Sequence, residues 1–165
     1  MIFKFLSKNF YISFAIVALI YFLDRLSKLY VIQLDKNNLG SDIFNSAYLN
    51  ILLIWNKGIA FGLLSFNESY LYNILSLIIA IIIIVLVIMS LKSQGFKRYS
   101  LLMIVGGALG NLHDRIFFKA VPDFIDFHVG NFHWFVFNAA DIFITIGVIF
   151  LILFELIDNN KENYE

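Results

Sequence analysis

The chain of 165 residues has no cysteine and a single proline, Pro122. Without cysteine there can be no disulfide staple, thiolate zinc site or cysteine nucleophile. One proline and nine glycines exclude collagen-like and proline-rich disordered classes. Charge is also scarce. Asp, Glu, Lys and Arg make up 15% of the residues, against about a quarter in a soluble domain. The 12 acidic and 12 basic side chains cancel, so there is no basic excess of the kind that binds nucleic acid, and no nucleic-acid partner is expected. The apolar set AVILMFWYC fills 61% of the chain, 19 Phe among it, and mean hydropathy is +0.84. A small soluble domain cannot hide that much apolar surface, so lipid is the expected solvent.

Long internal repeats are not evident, and hydropathy punctuates the chain instead. Ser69 to Leu91 carries no charge and is long enough to cross a hydrocarbon core of about 30 Å. Four spans are predicted, at about 10–30, 71–91, 99–118 and 135–154. Runs this long favour helices over Ile- and Val-rich strands, because an open sheet leaves unsatisfied edges in lipid. Lys4 and Lys8 precede span one, Lys92, Lys97 and Arg98 separate spans two and three, and Lys161 follows span four. These segments are predicted to face the cytoplasm, with both termini inside. Lys36, Lys57 and Lys119 on the opposite side make the bias modest. Trp55, Trp134 and Tyr70 fit an outer aromatic belt. The N-terminus has the charges and apolar run of a signal peptide, but Asp24-Arg25 follows where a small-x-small cleavage site belongs, so it reads as a retained span. One integral membrane domain over 1–165 is expected. Ala47 to Trp55 is strand-like, Asn56-Lys57-Gly58 is a turn signal, and Ile59 to Phe61 offers a return strand. A small outer β element over about 45–62 follows.

Depth organises the polar residues. At about 1.5 Å per residue, Asp24 lies roughly 21 Å above the inner boundary, and Asn111 and Asp114 roughly 18 and 22 Å. Asp141, counted six residues in from Phe135, lies roughly 9 Å below the outer boundary, again about 21 Å from the inside. Each intramembrane Asp costs on the order of 2.5–3.5 kcal/mol by insertion scales. Carboxylates at one depth on three helices are therefore expected to face each other. Spacing agrees: Asp24 and Lys28 are i, i+4, Asn111 is i, i+3 from Asp114 and i, i+4 from Arg115, and Asn138 is i, i+3 from Asp141. Asp24–Lys28 reads as a structural ion pair, Asp114–Arg115 as an interfacial anchor, and Asn111 as glue between helices. Asp141 has no cation among its near sequence neighbours, which makes it the functional candidate. In VPDFIDF (121–127), Asp123 and Asp126 compete equally as its partner, in a segment expected to dip back against the bundle.

Other chemistries are thinly supported. GxSxG and HExxH are absent. His113, His128 and His133 with Asp126 match no standard metal spacing and read as interfacial or hydrogen-bonding residues. GGALG (106–110) lies in an apolar span with no P-loop lysine, so its small residues serve close helix packing. Two carboxylates sharing one proton remain, able to activate water and polarise an amide. The same groups can carry protons in a transporter, although no inverted repeat or broken second helix accompanies them. A non-catalytic membrane assembly subunit is a further alternative.

DRLSK (24–28), NKGIAFG (56–62), GGALGNLHDR (106–115), VPDFIDF (121–127) and FNAAD (137–141) occur in order. Together they resemble the motifs of the lipoprotein signal peptidases, signal peptidase II of bacteria. The resemblance runs from span one through span four. It implies an all-α membrane protein of four transmembrane helices with a small periplasmic β-cradle. It also implies an aspartic endopeptidase of the bacterial plasma (inner) membrane, multi-pass, with its site near the periplasmic face. Such an enzyme cuts prolipoproteins just before a diacylglyceryl-modified Cys. By resemblance the catalytic pair is Asp123 and Asp141, which decides against Asp126. The supporting residues are Asp24, Lys28, Asn56, Asn111, Asp114, Arg115 and Asn138. Asn111 and Asn138 are expected to orient the pair, or Arg115 to stabilise it through Asp114. The expected partners are the lipid-modified substrate and membrane lipids, the chain acts as a monomer, and neither metal nor organic cofactor is required. His113 and Pro122 depart from the family pattern. Pro122 removes one backbone donor beside Asp123.

Overall fold

The computed structural model describes residues 8–38, 42–58 and 69–162. Four helices dominate: α1 (Lys8–Asn37), α2 (Ser69–Lys92), α3 (Gly95–Phe118) and α4 (Ala139–Glu162). All four are long and apolar enough to cross a membrane. At about 1.5 Å per residue α1 runs to roughly 45 Å, so it continues past the hydrocarbon on at least one side.

The helices differ in a way that their positions explain. α3 packs against each of the other three. Half of its apolar window is buried in protein, against 11–17% for the others. It also has the lowest mean hydropathy of the four, 1.2, while peripheral α2 reaches 3.4. A helix wrapped by protein tolerates polar residues, whereas one facing lipid must be apolar around most of its circumference. The exposed Ile, Leu and Val of α2, such as Ile78, Ile82 and Val85, are that lipid-facing surface.

Close approach in the bundle depends on the small residues of α3. A Cβ on Gly107 would stand 2.5 Å from the Ala140 carbonyl oxygen of α4. Backbone cannot swing aside as a side chain can. The 106–110 stretch is thus a packing stripe between helices, as its composition suggests.

A four-stranded antiparallel sheet caps one end, in the order β1 (Phe44–Asn45), β2 (Leu49–Asn56), β3 (Val121–Val129), β4 (Phe132–Phe137). It is larger than the element predicted over 45–62. The expected return strand Ile59–Phe61 lies outside the described residues. β2 instead pairs with β1 and with the distant β3. VPDFIDF does return to the bundle, as a strand. FHWFVF is β4, and α4 begins at Ala139, four residues later than the predicted start of span four. Alternation was masked there by five aromatic or β-branched residues in six, which suit a strand and a membrane helix equally. The depth assigned to Asp141 changes accordingly, because Asp141 sits in the first turn of α4 rather than two turns down.

Pro122 is tolerated in β3 because β4 pairs with β3 only from Ile125 onward. At Pro122 the strand has one partner, Trp55 of β2, and its other edge needs no donor. Trp55, Trp134 and Tyr70 are all exposed, 42%, 57% and 72%, and Trp55 and Trp134 lie on the sheet.

Gly107→Ala is expected to lower stability by about 1–3 kcal/mol through overpacking against backbone. Thermal unfolding in detergent measures it. An unchanged transition would mean that α3 and α4 can part at no cost.

Candidate active site

Two of the elements meet at Asn138. This residue precedes α4, and its backbone carbonyl accepts from Ile142 N–H at 3.4 Å, the first turn of the helix. The Asn138 side-chain oxygen accepts from Asp141 N–H at 3.3 Å, and Asn138 N–H donates to Asp141 Oδ2 at 3.1 Å. This is a reciprocal capping box, N-A-A-D, with Asp141 as its third helical residue. The same Asn138 donates its side-chain amide to Asp123 Oδ1 at 2.6 Å. One asparagine therefore holds both carboxylates.

The remaining carboxylate oxygens are also held by amides. Asn56, at the end of β2, donates to Asp123 Oδ2 at 2.8 Å while its own side-chain oxygen accepts from Gly58 N–H at 2.8 Å. Asn111 of α3 donates to Asp141 Oδ1 at 2.9 Å. Asp123 is 4% exposed. Burial pushes its pKa up to about 6, and the neighbouring Asp141 charge adds to that rise, against the hydrogen bonds from Asn56 and Asn138. Both carboxylates line a cavity of about 490 Å³ between α3, α4 and the sheet, shared with Asn56, Asn111, Arg115 and Asn138. Asp141 and Thr145 also border a second, apolar cavity of about 730 Å³ under β3 and β4, walled by Phe127, Phe135, Phe137 and Ile142.

Behind this pair lies a fully buried ion cluster. Lys28 Nζ, at 0% exposure, reaches the Asp24 carboxylate at 2.9 Å, Asp114 Oδ2 at 2.7 Å and Asn111 Oδ1 at 2.8 Å. All three ammonium donors are thereby used. Asn111 passes the cation's influence onward: its oxygen faces Lys28 and its amide faces Asp141. Asp24 Oδ1 accepts from Ala140 N–H at 3.0 Å. It satisfies one of the orphan donors of the α4 N-terminus from a different helix. Gly110 makes room for it, since a Cβ there would fall on the Asp24 carboxylate.

The positions read from the sequence as Asp24, Lys28, Asn56, Asn111, Asp114, Asp123, Asn138 and Asp141 thus lie in one connected network. Arg115 sits differently from expectation. The ion pairs of Asp114 run to Lys28 and Arg25. Arg115 donates instead to the carbonyls of Gly58 at 3.0 Å and Asn111 at 3.3 Å, because its place one residue along α3 turns it toward β2 and the cavity. Sequence reading also passed over Arg25, although it lies i, i+3 from Lys28, and over the capping box, although N-x-x-D before an apolar run is its signature.

Asp126 is separated from the pair. Three residues from Asp123 along a strand, it points to the opposite face. There it meets His133 Nδ1 at 2.9 Å and Asn50 at 3.2 Å, and His128 bonds Asn50 at 3.1 Å. His113 lies elsewhere, 2.8 Å from the Tyr21 hydroxyl. Among the described residues, no three His, Cys, Asp or Glu side chains converge as metal ligands.

The family model described as Signal peptidase (SPase) II matches residues 16–157, nearly the whole chain. The chain belongs to the signal peptidase II family. A protein named lipoprotein signal peptidase from Pelagibacter ubique (strain HTCC1062) is 51% identical over 158 residues, 96% of this chain and 95% of its own. One of the same name from Anaplasma phagocytophilum (strain HZ) is 44% identical, covering 86% of this chain and 89% of its own. A solved bacterial membrane enzyme is 30% identical and superposes with a TM-score of 0.73 over 90% of each chain. Membership makes this signal peptidase II homologue a protease embedded in the membrane.

Asn138→Ala removes the cap of α4 and a donor to Asp123 together. Stability is expected to fall by about 1 kcal/mol, and proteolysis by far more than that loss of folded protein explains. Unfolding in detergent and turnover per folded molecule separate the two. Near wild-type turnover would show that Asn138 does not hold the pair.

Proposed function

We propose that this chain is an aspartic endopeptidase that removes the signal peptide from diacylglyceryl-modified bacterial prolipoproteins, cutting just before the lipidated Cys, with Asp123 and Asp141 as its catalytic pair. The single observation that carries this reading is Asn138 donating to both carboxylates. It supports a pair close enough to share one proton.

In this reading a water molecule binds between Asp123 and Asp141. The ionised carboxylate takes a proton from it as its oxygen attacks the scissile carbonyl carbon. The protonated carboxyl donates to the carbonyl oxygen. The resulting tetrahedral species then collapses: the C–N bond breaks and a proton passes to the leaving nitrogen, giving a carboxylate and the amine of the lipidated Cys. The protons belong to the pair as a unit. Asn56, Asn111 and Asn138 cost no reorganisation during this sequence, because each is already bonded at both ends or held by the strand and helix that carry it. Asp24, Lys28 and Asp114 fix Asn111 and the mouth of α4, and Arg115 is placed on the cavity wall to meet substrate carbonyls.

The substrate is an amide tethered to lipid, so its two parts need two surfaces. The apolar cavity under β3 and β4 and the cavity between α3 and α4 both border Asp141 and Thr145, and they suit a peptide segment and its acyl-bearing end. Lys and Arg bias supports both termini in the cytoplasm and the sheet at the periplasmic face of the inner membrane. Asp141 in the first turn of α4 then lies where bilayer and outer water meet, and a monomer contains every group the mechanism uses.

Asp123→Asn and Asp141→Asn are each expected to abolish cleavage of a diacylglyceryl-modified peptide in detergent, followed by mass spectrometry. Asp126→Asn is expected to retain substantial activity. Abolished cleavage in Asp126→Asn with persistence in Asp123→Asn would exchange their roles. Ionising both carboxylates removes the acid. Because Asp123 holds its proton up to about pH 6, rather than near 4 as an unfolded Asp does, kcat/KM is expected to be bell-shaped. Its alkaline limb should lie near 6 or above. A profile with its only midpoint near 4 would contradict the shared proton.

A further inference from the structure

Arg25 has no part in the reaction described above, yet it is 8% exposed inside the bundle. Its guanidinium lies 2.6 Å from Asp114 Oδ1, 2.8 Å from Asp114 Oδ2 and 3.2 Å from Asp24 Oδ2. Asp24 and Asp114 both also touch Lys28. Counting formal charges, two carboxylates face one ammonium and one guanidinium, so the cluster is neutral only because Arg25 is there. We propose that Arg25 is a positioning residue for the catalytic pair: the counter-ion that neutralises Asp24 and Asp114 and so leaves Lys28 free to hold Asn111 against Asp141. The proposal rests on the aspartic reading of the pair.

Lys28 has three donors, and they are divided among Asp24, Asp114 and Asn111. Without Arg25 the two carboxylates would carry one uncompensated negative charge in a site closed to water. That charge draws the ammonium toward the carboxylates and away from the Asn111 oxygen. It also acts on the catalytic pair, where added negative charge favours the protonated form. Arg25 shares its carboxylates with Lys28 on its own helix, pairs with Asp24 there and Asp114 on α3, and acts on His113 of α3. The same carboxylates and Lys28 act in turn on Arg115 of α3, Tyr72 of α2, Asp123 of β3 and Asp141 of α4. The only cations within this set are Arg25, Lys28 and Arg115, and Arg115 is committed to the carbonyls of Gly58 and Asn111. No other group in it can replace the charge of Arg25.

The test is the pH dependence of kcat/KM on a diacylglyceryl-modified peptide for wild type, Arg25→Gln and Arg25→Lys, in detergent. Removing the positive charge is expected to move the bell of Arg25→Gln to higher pH by about half a unit. Its kcat should fall more than its KM rises. Arg25→Lys keeps the charge and is expected to keep the wild-type position. A structural role alone would lower the amount of folded enzyme without moving the bell. An Arg25→Gln bell superposed on wild type, or an Arg25→Lys bell displaced equally far, overturns the proposal. Where Arg25→Gln does not fold, the double variant Arg25→Gln, Asp114→Asn removes one charge of each sign. Its bell at the wild-type position supports the counter-ion and a displaced bell overturns it. Failure of wild type to cleave the peptide would instead overturn the aspartic reading, before any comparison at Arg25.

Discussion

The structure depends on one buried ammonium. Lys28 sits at 0% exposure in the middle of a bundle whose outer surface is built for lipid. A lone cation there is untenable, and two acidic partners, a neutral amide and a second cation surround it. A buried ion network of this kind is weak evidence for stability, since apolar replacements often do as well. What it supplies is registry. It ties α1 to α3 at a fixed height and turn, and through Asp24 to the Ala140 amide, one of those at the start of α4 that lack a helical partner. The two carboxylates of the site inherit their positions from that tie and from the sheet.

The division of labour follows. α3 is the post against which the other three helices pack, and its polar face carries Asn111, Asp114 and Arg115. Its small residues let α1 and α4 approach closely enough for side chains as short as Asp to reach across. The sheet delivers Asp123 from a strand, the cap delivers Asp141 from a helix end, and Asn138 joins them. Strand and helix end are stiff supports, so the geometry needs no closure to form. In the proposed mechanism Asn138 and Asp141 serve folding and chemistry with the same atoms: the bonds that start α4 are those that aim the carboxylate.

Much of this was legible in the residues. Four apolar runs, small residues in α3 and the i, i+4 relation of Asp24 to Lys28 are all features of the fold. Local patterns report what one element does for itself. The parts that were not legible concern how elements meet. The pairing of β2 with β3 spans some seventy residues, and nothing in either strand names the other. FHWFVF has composition that serves strand and membrane helix alike, so the start of α4 was read four residues early. Asp123 and Asp126 differ only in which side of a strand they occupy, and that parity is invisible until the strand is known to be one. Arg25 reads in the sequence only as part of the Asp24-Arg25 pair that replaces a cleavage site, whereas it completes the charge balance of a cluster drawn from two helices.

In the proposed mechanism Asp123 and Asp141 hold one proton in common. Infrared difference spectroscopy of the carboxyl stretch, on detergent-purified protein titrated between about pH 3 and 7, reads that proton itself. One protonated carboxyl band should be present near pH 5.5, and either Asp123→Asn or Asp141→Asn should remove or displace it. Two carboxyls that titrate independently near pH 4, each unaffected by loss of the other, would contradict the claim.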